Sequence, residues 1–380
     1  MSLRRIVKKP ILFGVDMTAD LLVLLMKAMY RLSKDDPETA PDSVDNFDSL
    51  RIQEKEQFEA ILDRQTRRIK PEYIEYRRCP NCDSESHRLV FPTQDFFDYV
   101  KCQECGFVYA WQMLTHEART KIYGGLTGTG AAEVCCSPSG RAADRARFSF
   151  PLSLILKYHR GGNLLDVGCG VGNFLNQARE AGFSVQGIET HPEFREAAKT
   201  NYQIDVQTGI FEEMELPEDH FQVITMWETL EHIYHPKAAI KRAFEILTPK
   251  GILAISVPNL ANLGFFMLRE YSAHRGGEHI NFFSPATLSR MLTDCGFTVV
   301  ESHTTGNSDW GTMLNLLNLD LDRVYCYDNV GKKKETTPPT PFFAPHEATF
   351  LKRVVFPALS RYESRTGKGE GITILAQKNV

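Results

Sequence analysis

The stretch NLLDVGCGVGNFL, Asn163–Leu175, restricts the fold more than any other part of this 380-residue chain. Asn163–Val167 is an apolar run that reads as a buried strand, with one acid, Asp166, near its end. Gly168, Gly170 and Gly172 follow, and then a segment with helical spacing. Glycines let the backbone turn sharply and approach a ligand at the carboxyl end of such a strand. The spacing is G-x-G-x-G. A dinucleotide fold would need G-x-G-x-x-G, and its last position here is Asn173. An acid just before the loop suits a ligand carrying an ammonium group better than a pyrophosphate.

Strands and helices alternate around this loop, the pattern of an α/β protein with a parallel sheet. Strands are expected at 163–167, 184–188, 221–226, 251–257, 297–303 and 371–377, and helices at 172–181, 193–200, 236–247 and 285–295. Apolar residues at 42% are enough for a large core. A formal charge of −4 argues against a general nucleic-acid binder, which needs clustered Lys and Arg.

The pattern divides the chain into an N-terminal helix and linker (1–47), a charged helix (48–78) and a cysteine-rich module (79–110). A connector helix and Gly-rich loop (111–144) lead to the main domain (145–380), with an insertion at about 306–368. In the first segment Arg4, Arg5, Lys8 and Lys9 precede an apolar stretch broken by Asp16, Asp20 and Lys27 at helical spacing. That is too interrupted for a span of about 20 apolar residues. It reads as an amphipathic helix over residues 4–30 that packs on the body or a second subunit, or lies on an anionic membrane face.

Cys79, Cys82, Cys102 and Cys105 form C-x2-C-x19-C-x2-C, a spacing that sets four thiolates around one Zn²⁺. A four-sulfur site has no open position, so its expected role is structural. Residues 77–110 hold four Lys/Arg against five Asp/Glu, which does not favour a nucleic-acid ribbon. The remaining cysteines are scattered, as expected for a reducing, cytoplasmic setting.

The glycine loop resembles motif I of class I S-adenosylmethionine-dependent methyltransferases. Glu189, 23 residues after Asp166, stands where a carboxylate takes the ribose hydroxyls in that family. The resemblance implies a Rossmann-like seven-stranded α/β sheet, with S-adenosylmethionine held by Asp166, Gly168, Gly170, Gly172 and Glu189. Ile210, Phe211, Met226 and Trp227 would surround the adenine. The run WETLEHIYHP (Trp227–Pro236) lacks the Asn/Asp-Pro-Pro-aromatic turn of nucleobase amine methyltransferases and resembles the small-molecule branch.

A cysteine module ahead of such a domain resembles the zinc-containing C-methyltransferases of deoxysugar biosynthesis and proteins of surface-polysaccharide synthesis. In the deoxysugar enzymes a Glu-His pair sits at the reaction centre, and Glu278-His279 matches it. Their tyrosine two residues earlier is Gly276 here. The resemblance implies His279 as base, Glu278 as its orienter and His232 as second candidate, acting on a hydroxyl or carbon of a sugar or glycan precursor. A more distant resemblance is to quinone O-methyltransferases, in which a Glu-x-x-Glu-His has been linked to a divalent cation. Glu228, Glu231 and His232 match that motif, and a helix starting there would put all three on one face. Two competitors follow: an O-methyltransferase of a quinone or lipid-linked substrate, and a non-catalytic zinc-ribbon scaffold with a vestigial cofactor fold.

Overall fold

The computed structural model describes residues 61–63, 69–91, 98–115, 117–118, 129–262, 279–305 and 366–379. The expected N-terminal helix, the linker, residues 48–60, Glu278 and most of the insertion lie outside the described residues. Among the described residues no helix is long and apolar enough to cross a membrane.

Five short strands come first: β1 (Ile74–Tyr76), β2 (His87–Phe91), β3 (Tyr99–Cys102), β4 (Val108–Ala110) and β5 (Gln112–Leu114). Two helices follow, α1 (Thr129–Cys136) and α2 (Pro138–Ile155). Next come β6 (Gly162–Val167), α3 (Asn173–Glu180), β7 (Phe183–Ile188), α4 (Pro192–Tyr202), β8 (Val206–Gln207) and β9 (Phe221–Trp227). The chain continues through α5 (Pro236–Ile246), β10 (Leu247–Pro258), β11 (Asn281–Phe282), α6 (Pro285–Asp294), β12 (Phe297–Thr305) and β13 (Gly371–Lys378).

The main sheet has seven strands in the order β12-β13-β10-β9-β6-β7-β8. Strands β6 to β10 run parallel, and β13 is antiparallel to both its neighbours. The Rossmann-like α/β sheet expected from the sequence is therefore present. Its central strands are covered on both faces, which is why β6 and β9 read as continuous apolar runs. One face packs Leu165, Ile224 and Leu253 with α5 and α6. The other packs Leu164, Val223 and Ile252 with α2 and α3. The order reverses between β6 and β9, and in such sheets the crevice beyond the carboxyl ends at that point is where ligands bind.

Three expectations about the front of the chain change. Residues 124–140 read as a loop, but the backbone is helical from Thr129. The Ala-rich run favours helix, and Ser137 restarts it as an N-cap, accepting from Gly140 N–H at 3.0 Å with Pro138 at N1. Helix α2 thus runs through the boundary drawn at 145. The connector helix expected from Met113 begins as strand β5, recruited by antiparallel pairing to β1, with Ile74 opposite Leu114. The charged helix expected to reach Pro71 is broken where Leu62 and Ile69 form an antiparallel bridge.

The cysteine module is not a closed unit either. Its sheet, β2-β3-β4, gains a fourth strand, β11, from the main domain, with Asn281 opposite Tyr109 and Phe282 opposite Val108. Cys79, Cys102, Phe107 and Tyr109 pack in the same core as Leu230, Met291 and Phe283. After β11 a capping box closes the turn into α6. Ser284 Oγ accepts from Thr287 N–H at 3.2 Å, and Thr287 Oγ1 accepts from Ser284 N–H at 2.9 Å.

Candidate active site

The first wall of the crevice is the glycine loop after β6. Gly168, Gly170 and Gly172 all have positive φ, of 74°, 52° and 80°. At Gly168 the requirement is also spatial: a Cβ would stand 2.5 Å from Thr229 Oγ1. Glu189, at the end of β7, reaches back to the loop. Its Oε2 accepts from Gly170 N–H at 3.0 Å and its Oε1 from His191 N–H at 2.9 Å. Arg195 fixes the backbone there by donating to the carbonyls of Glu189 and Thr190.

Asp166 is 1% exposed and accepts from Thr225 Oγ1 at 2.6 Å. Burial pushes its carboxyl up to about 8, helped by the Glu189 charge and opposed by the Thr225 hydroxyl. A group held so far above its ordinary range is a functional-site candidate when it borders a cleft.

Ile210 lies 55% exposed ahead of the short turn Phe211–Glu213, while Phe211 is buried. Met226 and Trp227 point to opposite faces of the sheet. Met226 is in the α5 core, and Trp227 packs against Phe148 and Phe174 with its indole N–H lacking a partner.

The second wall is the turn after β9 together with residues 279–281. The expected helix over Glu228–His232 does not form; α5 starts at Pro236. Glu228 adopts φ +49°, a left-handed conformation costly for a non-glycine residue, and its carboxylate accepts from Ser256 Oγ at 2.9 Å. That turn keeps Glu228 beside Glu231 but out of a common set with His232. Glu231 and His232 instead meet His279, and ligand atoms of these three lie within 4.8 Å of one another. The two imidazoles are T-shaped with centroids 4.8 Å apart. Glu231 is 1% exposed, and its carboxylate, beside that of Glu228, makes no well-formed hydrogen bond. Its Oε1 stands 3.8 Å from His232 Nε2. Burial, and then the nearby Glu228 charge, raise its carboxyl well above the ordinary range.

Residues 142–302 match a family model described as a methyltransferase domain. Residues 142–302 form a methyltransferase domain. Curated relatives include a ubiquinone biosynthesis O-methyltransferase of Psychrobacter arcticus, 28% identical over 153 residues, covering 36% of this chain and 60% of that one. The counterpart from Xanthomonas euvesicatoria pv. vesicatoria is 30% identical over 149 residues, covering 36% and 62%. The chain thus spans about three fifths of the length of these relatives. A solved S-adenosylmethionine-dependent methyltransferase from Archaeoglobus fulgidus is 16% identical, with a TM-score of 0.43, over 63% of this chain and 94% of that one.

Ahead of the methyltransferase domain, the four cysteines predicted as ligands converge. Their sulfurs all lie within 4.8 Å of one another, with Cys79–Cys105 and Cys82–Cys102 both at 3.5 Å. A tetrahedral centre with Zn–S bonds of about 2.3 Å requires sulfurs about 3.8 Å apart, so the set fits Zn²⁺. Left-handed residues directly after each knuckle, Asp83 and Gly106, turn the chain. Burial raises the Cys79 thiol, whereas at Cys102 burial is outweighed by the N–H groups of Cys105 and Glu104 together with the sulfurs of Cys82 and Cys105, which bring it down to about 7.

Sequence reasoning missed two residues that hold the methyltransferase domain's crevice. Gly187 lets the glycine loop pack close, since a Cβ there would stand 2.7 Å from Cys169 Sγ and 2.8 Å from Leu175. A glycine inside an otherwise apolar strand was the available signal. Asn281 donates from its side chain to the carbonyls of Leu230, Glu231 and Ile233, the last at 2.6 Å. A polar residue between Ile280 and Phe282 was its signal.

Proposed function

We propose that this chain transfers the methyl group of S-adenosylmethionine to a hydroxyl or carbon of a small molecule. The observation that carries the reading is the contact between Gly168 and Thr229. It sets the glycine loop against the turn that bears Glu231 and His232, so cofactor and acceptor sides share one crevice. When bound, the cofactor supplies a methyl group already activated on a sulfonium. Asp166 would compensate its ammonium, and Glu189, oriented by the Gly170 and His191 N–H groups, would take the ribose hydroxyls. Ile210 would supply apolar surface for the adenine. His279, with His232 beside it, would accept the proton that a hydroxyl or activated carbon loses as the methyl arrives. The remaining task is positioning at near-attack distance, which the two fixed walls can provide. The four thiolates would hold a structural Zn²⁺.

The acceptor class expected from the sequence is a sugar or glycan precursor. A second reading, O-methylation of a quinone or lipid-linked hydroxyl, is favoured by the names of the curated relatives. A divalent cation is a further option on the acceptor side. Its donor set would be Glu231, His232 and His279 rather than Glu228, Glu231 and His232, because Glu228 is tied to Ser256.

The test is calorimetry of the full chain with S-adenosylhomocysteine, followed by transfer of labelled methyl to nucleotide-sugar and quinol acceptors, with and without Mg²⁺ or Zn²⁺. Binding and transfer to either panel support the proposal, and the panel labelled identifies the acceptor. Absence of cofactor binding leaves the non-catalytic scaffold.

A further inference from the structure

Besides the pairing of β4 with β11, one side chain ties the cysteine module to the acceptor wall. Arg77 stands two residues before Cys79, and its fork of donors reaches three separate segments. Nε donates to Ala110 O at 2.9 Å, one terminal nitrogen to Tyr234 O at 3.2 Å, and the other to Ile280 O and to Asn281 Oδ1, the latter at 3.1 Å. The guanidinium carbon lies 5.4 Å from the centroid of the Tyr109 ring. None of the four acceptors is a carboxylate, so the group grips backbone and amide rather than balancing a charge.

Asn281 passes the hold onward. Its side chain donates to three carbonyls of the 230–233 turn, and Ile280 N–H and Asn281 N–H both donate to Glu231 O at 3.0 Å. The residues gripped therefore adjoin the two histidines directly: Ile280 follows His279, and Glu231 precedes His232. Strand pairing holds this segment to β4 through Asn281, Phe282 and an Ala110 N–H to Ile280 O bond of 2.9 Å, and the Arg77 fork adds Tyr234 of the neighbouring turn to the same grip. A planar fork with five N–H donors can meet three segments at once; a lysine, with one rotating ammonium, cannot hold them in the same geometry.

Building on the methyl-transfer reading, we propose that Arg77 is a positioning residue for the acceptor side, fixing the 279–281 segment so that the His279 ring stands against His232. The cysteine module thereby sets the geometry of the proposed proton acceptor rather than only adding bulk beside it.

The experiment uses the full chain with ¹³C-labelled histidine. Imidazole signals of His232 and His279 are assigned through His232→Gln and His279→Gln. T-shaped rings at this separation shift each other's protons, so the pair has a signature that a change in stability alone does not move. In Arg77→Gln both signals should move toward those of the lone imidazoles in the two single-histidine variants, with His191 and His220 unchanged. Affinity for S-adenosylhomocysteine should stay within about twofold, as expected of sites without shared partners. Arg77→Lys should move the pair in the same direction by less. A folded Arg77→Gln protein with the pair unmoved overturns the proposal. If that variant does not fold, Arg77→Lys decides in the same way. Failure of the parent chain to bind S-adenosylhomocysteine would sink the methyl-transfer reading and leave the histidine result standing as a separate finding.

Discussion

The two walls of the crevice are assembled differently. The cofactor wall is mostly local: a strand, a glycine loop and a carboxylate on the next strand, tied by a hydrogen bond between Gly170 and Glu189, 19 residues apart. The acceptor wall has no such continuity. His279 is placed by Asn281 and by Arg77, which is 204 residues from Asn281 in sequence, and by a strand lent to the sheet of another module. A local wall should survive damage elsewhere in the chain. A wall assembled from distant segments should fail when any contributor is lost.

The strongest way to break that comparison is to remove one of the four thiolates proposed to hold zinc. Cys102→Ser takes one of four thiolates from a cluster in which Cys79 and Cys102 are buried in the common core while Cys82 is exposed. Structural zinc is worth about 10 kcal/mol or more to small zinc domains. We expect zinc content to fall to a small fraction, the melting temperature to drop by 10 °C or more (about 2–4 °C per kcal/mol for a chain of this size), and methyl transfer to be lost. S-adenosylhomocysteine should still bind, measured by calorimetry below the new transition. Loss of cofactor binding in step with zinc would show that both walls depend on the module.

The converse change is Glu189→Gln. It keeps the shape but removes the charge that orients between Gly170 and His191, and it weakens two charge-assisted hydrogen bonds of about 1.5–3 kcal/mol each. Cofactor affinity should fall by about 10- to 100-fold, while the His232–His279 signals stay in place. Unchanged affinity would remove Glu189 from the cofactor site.

The same division explains what could be read without coordinates. The succession of strands and helices around the glycine loop and the spacing of the four cysteines are written in short-range sequence; the structure shows that succession, brings the four sulfurs together and sets Glu189 directly after β7. The cation trio failed because it assumed a helix where Glu228 turns left-handed, a conformation the residue type does not announce. Helices α1 and α2 were missed because glycines at 124–130 and 140 outweighed the Ala-rich run and the Ser137-Pro138 restart. Arg77 was invisible as a functional residue, since nothing near it in sequence says that its partners are Tyr234 and Ile280. Contacts of that range come from strand pairing across modules, and periodicity carries no record of them.

Gly168 sits on the seam between the walls, so it tests whether they communicate. Gly168→Ala forces a Cβ to 2.5 Å from Thr229 Oγ1 and 2.8 Å from its Cγ2, at a φ of 74°. Strain of this kind costs about 1–3 kcal/mol. The expected result is a loss in both cofactor affinity and transfer rate of about 10- to 100-fold. Adding Thr229→Ala removes the Oγ1 and Cγ2 clashes and leaves the backbone strain and a tight 3.2 Å approach to the remaining Cβ, so the double variant should recover part of the affinity. Absence of any recovery would assign the whole effect to backbone conformation and leave the two walls uncoupled at this point.

The last effect concerns protons. Asp166 is held at about 8 against an ordinary 3.8, chiefly because burial disfavours its charged form. Between those values the native chain keeps a proton on this group that the unfolded chain releases. The native state then binds more protons than the unfolded one, so stability contributed by this site is full below about pH 4 and is lost as pH rises towards 8. Asp166→Asn cannot titrate. Its unfolding free energy, followed by urea titration from pH 5 to 8, should therefore decline less with pH than that of the parent, the difference in slope approaching one proton, about 1.4 kcal/mol per pH unit, between pH 5 and 7 and falling off towards 8. The acceptor wall supplies the control. Glu231 is also raised by burial, so Glu231→Gln should flatten the slope in the same sense without lowering cofactor affinity, whereas Asp166→Asn should do both. Equal slopes for parent and Asp166→Asn would mean that Asp166 is already ionised in the free protein, and the low-dielectric picture of the cofactor wall would have to give way to one in which water reaches that carboxylate.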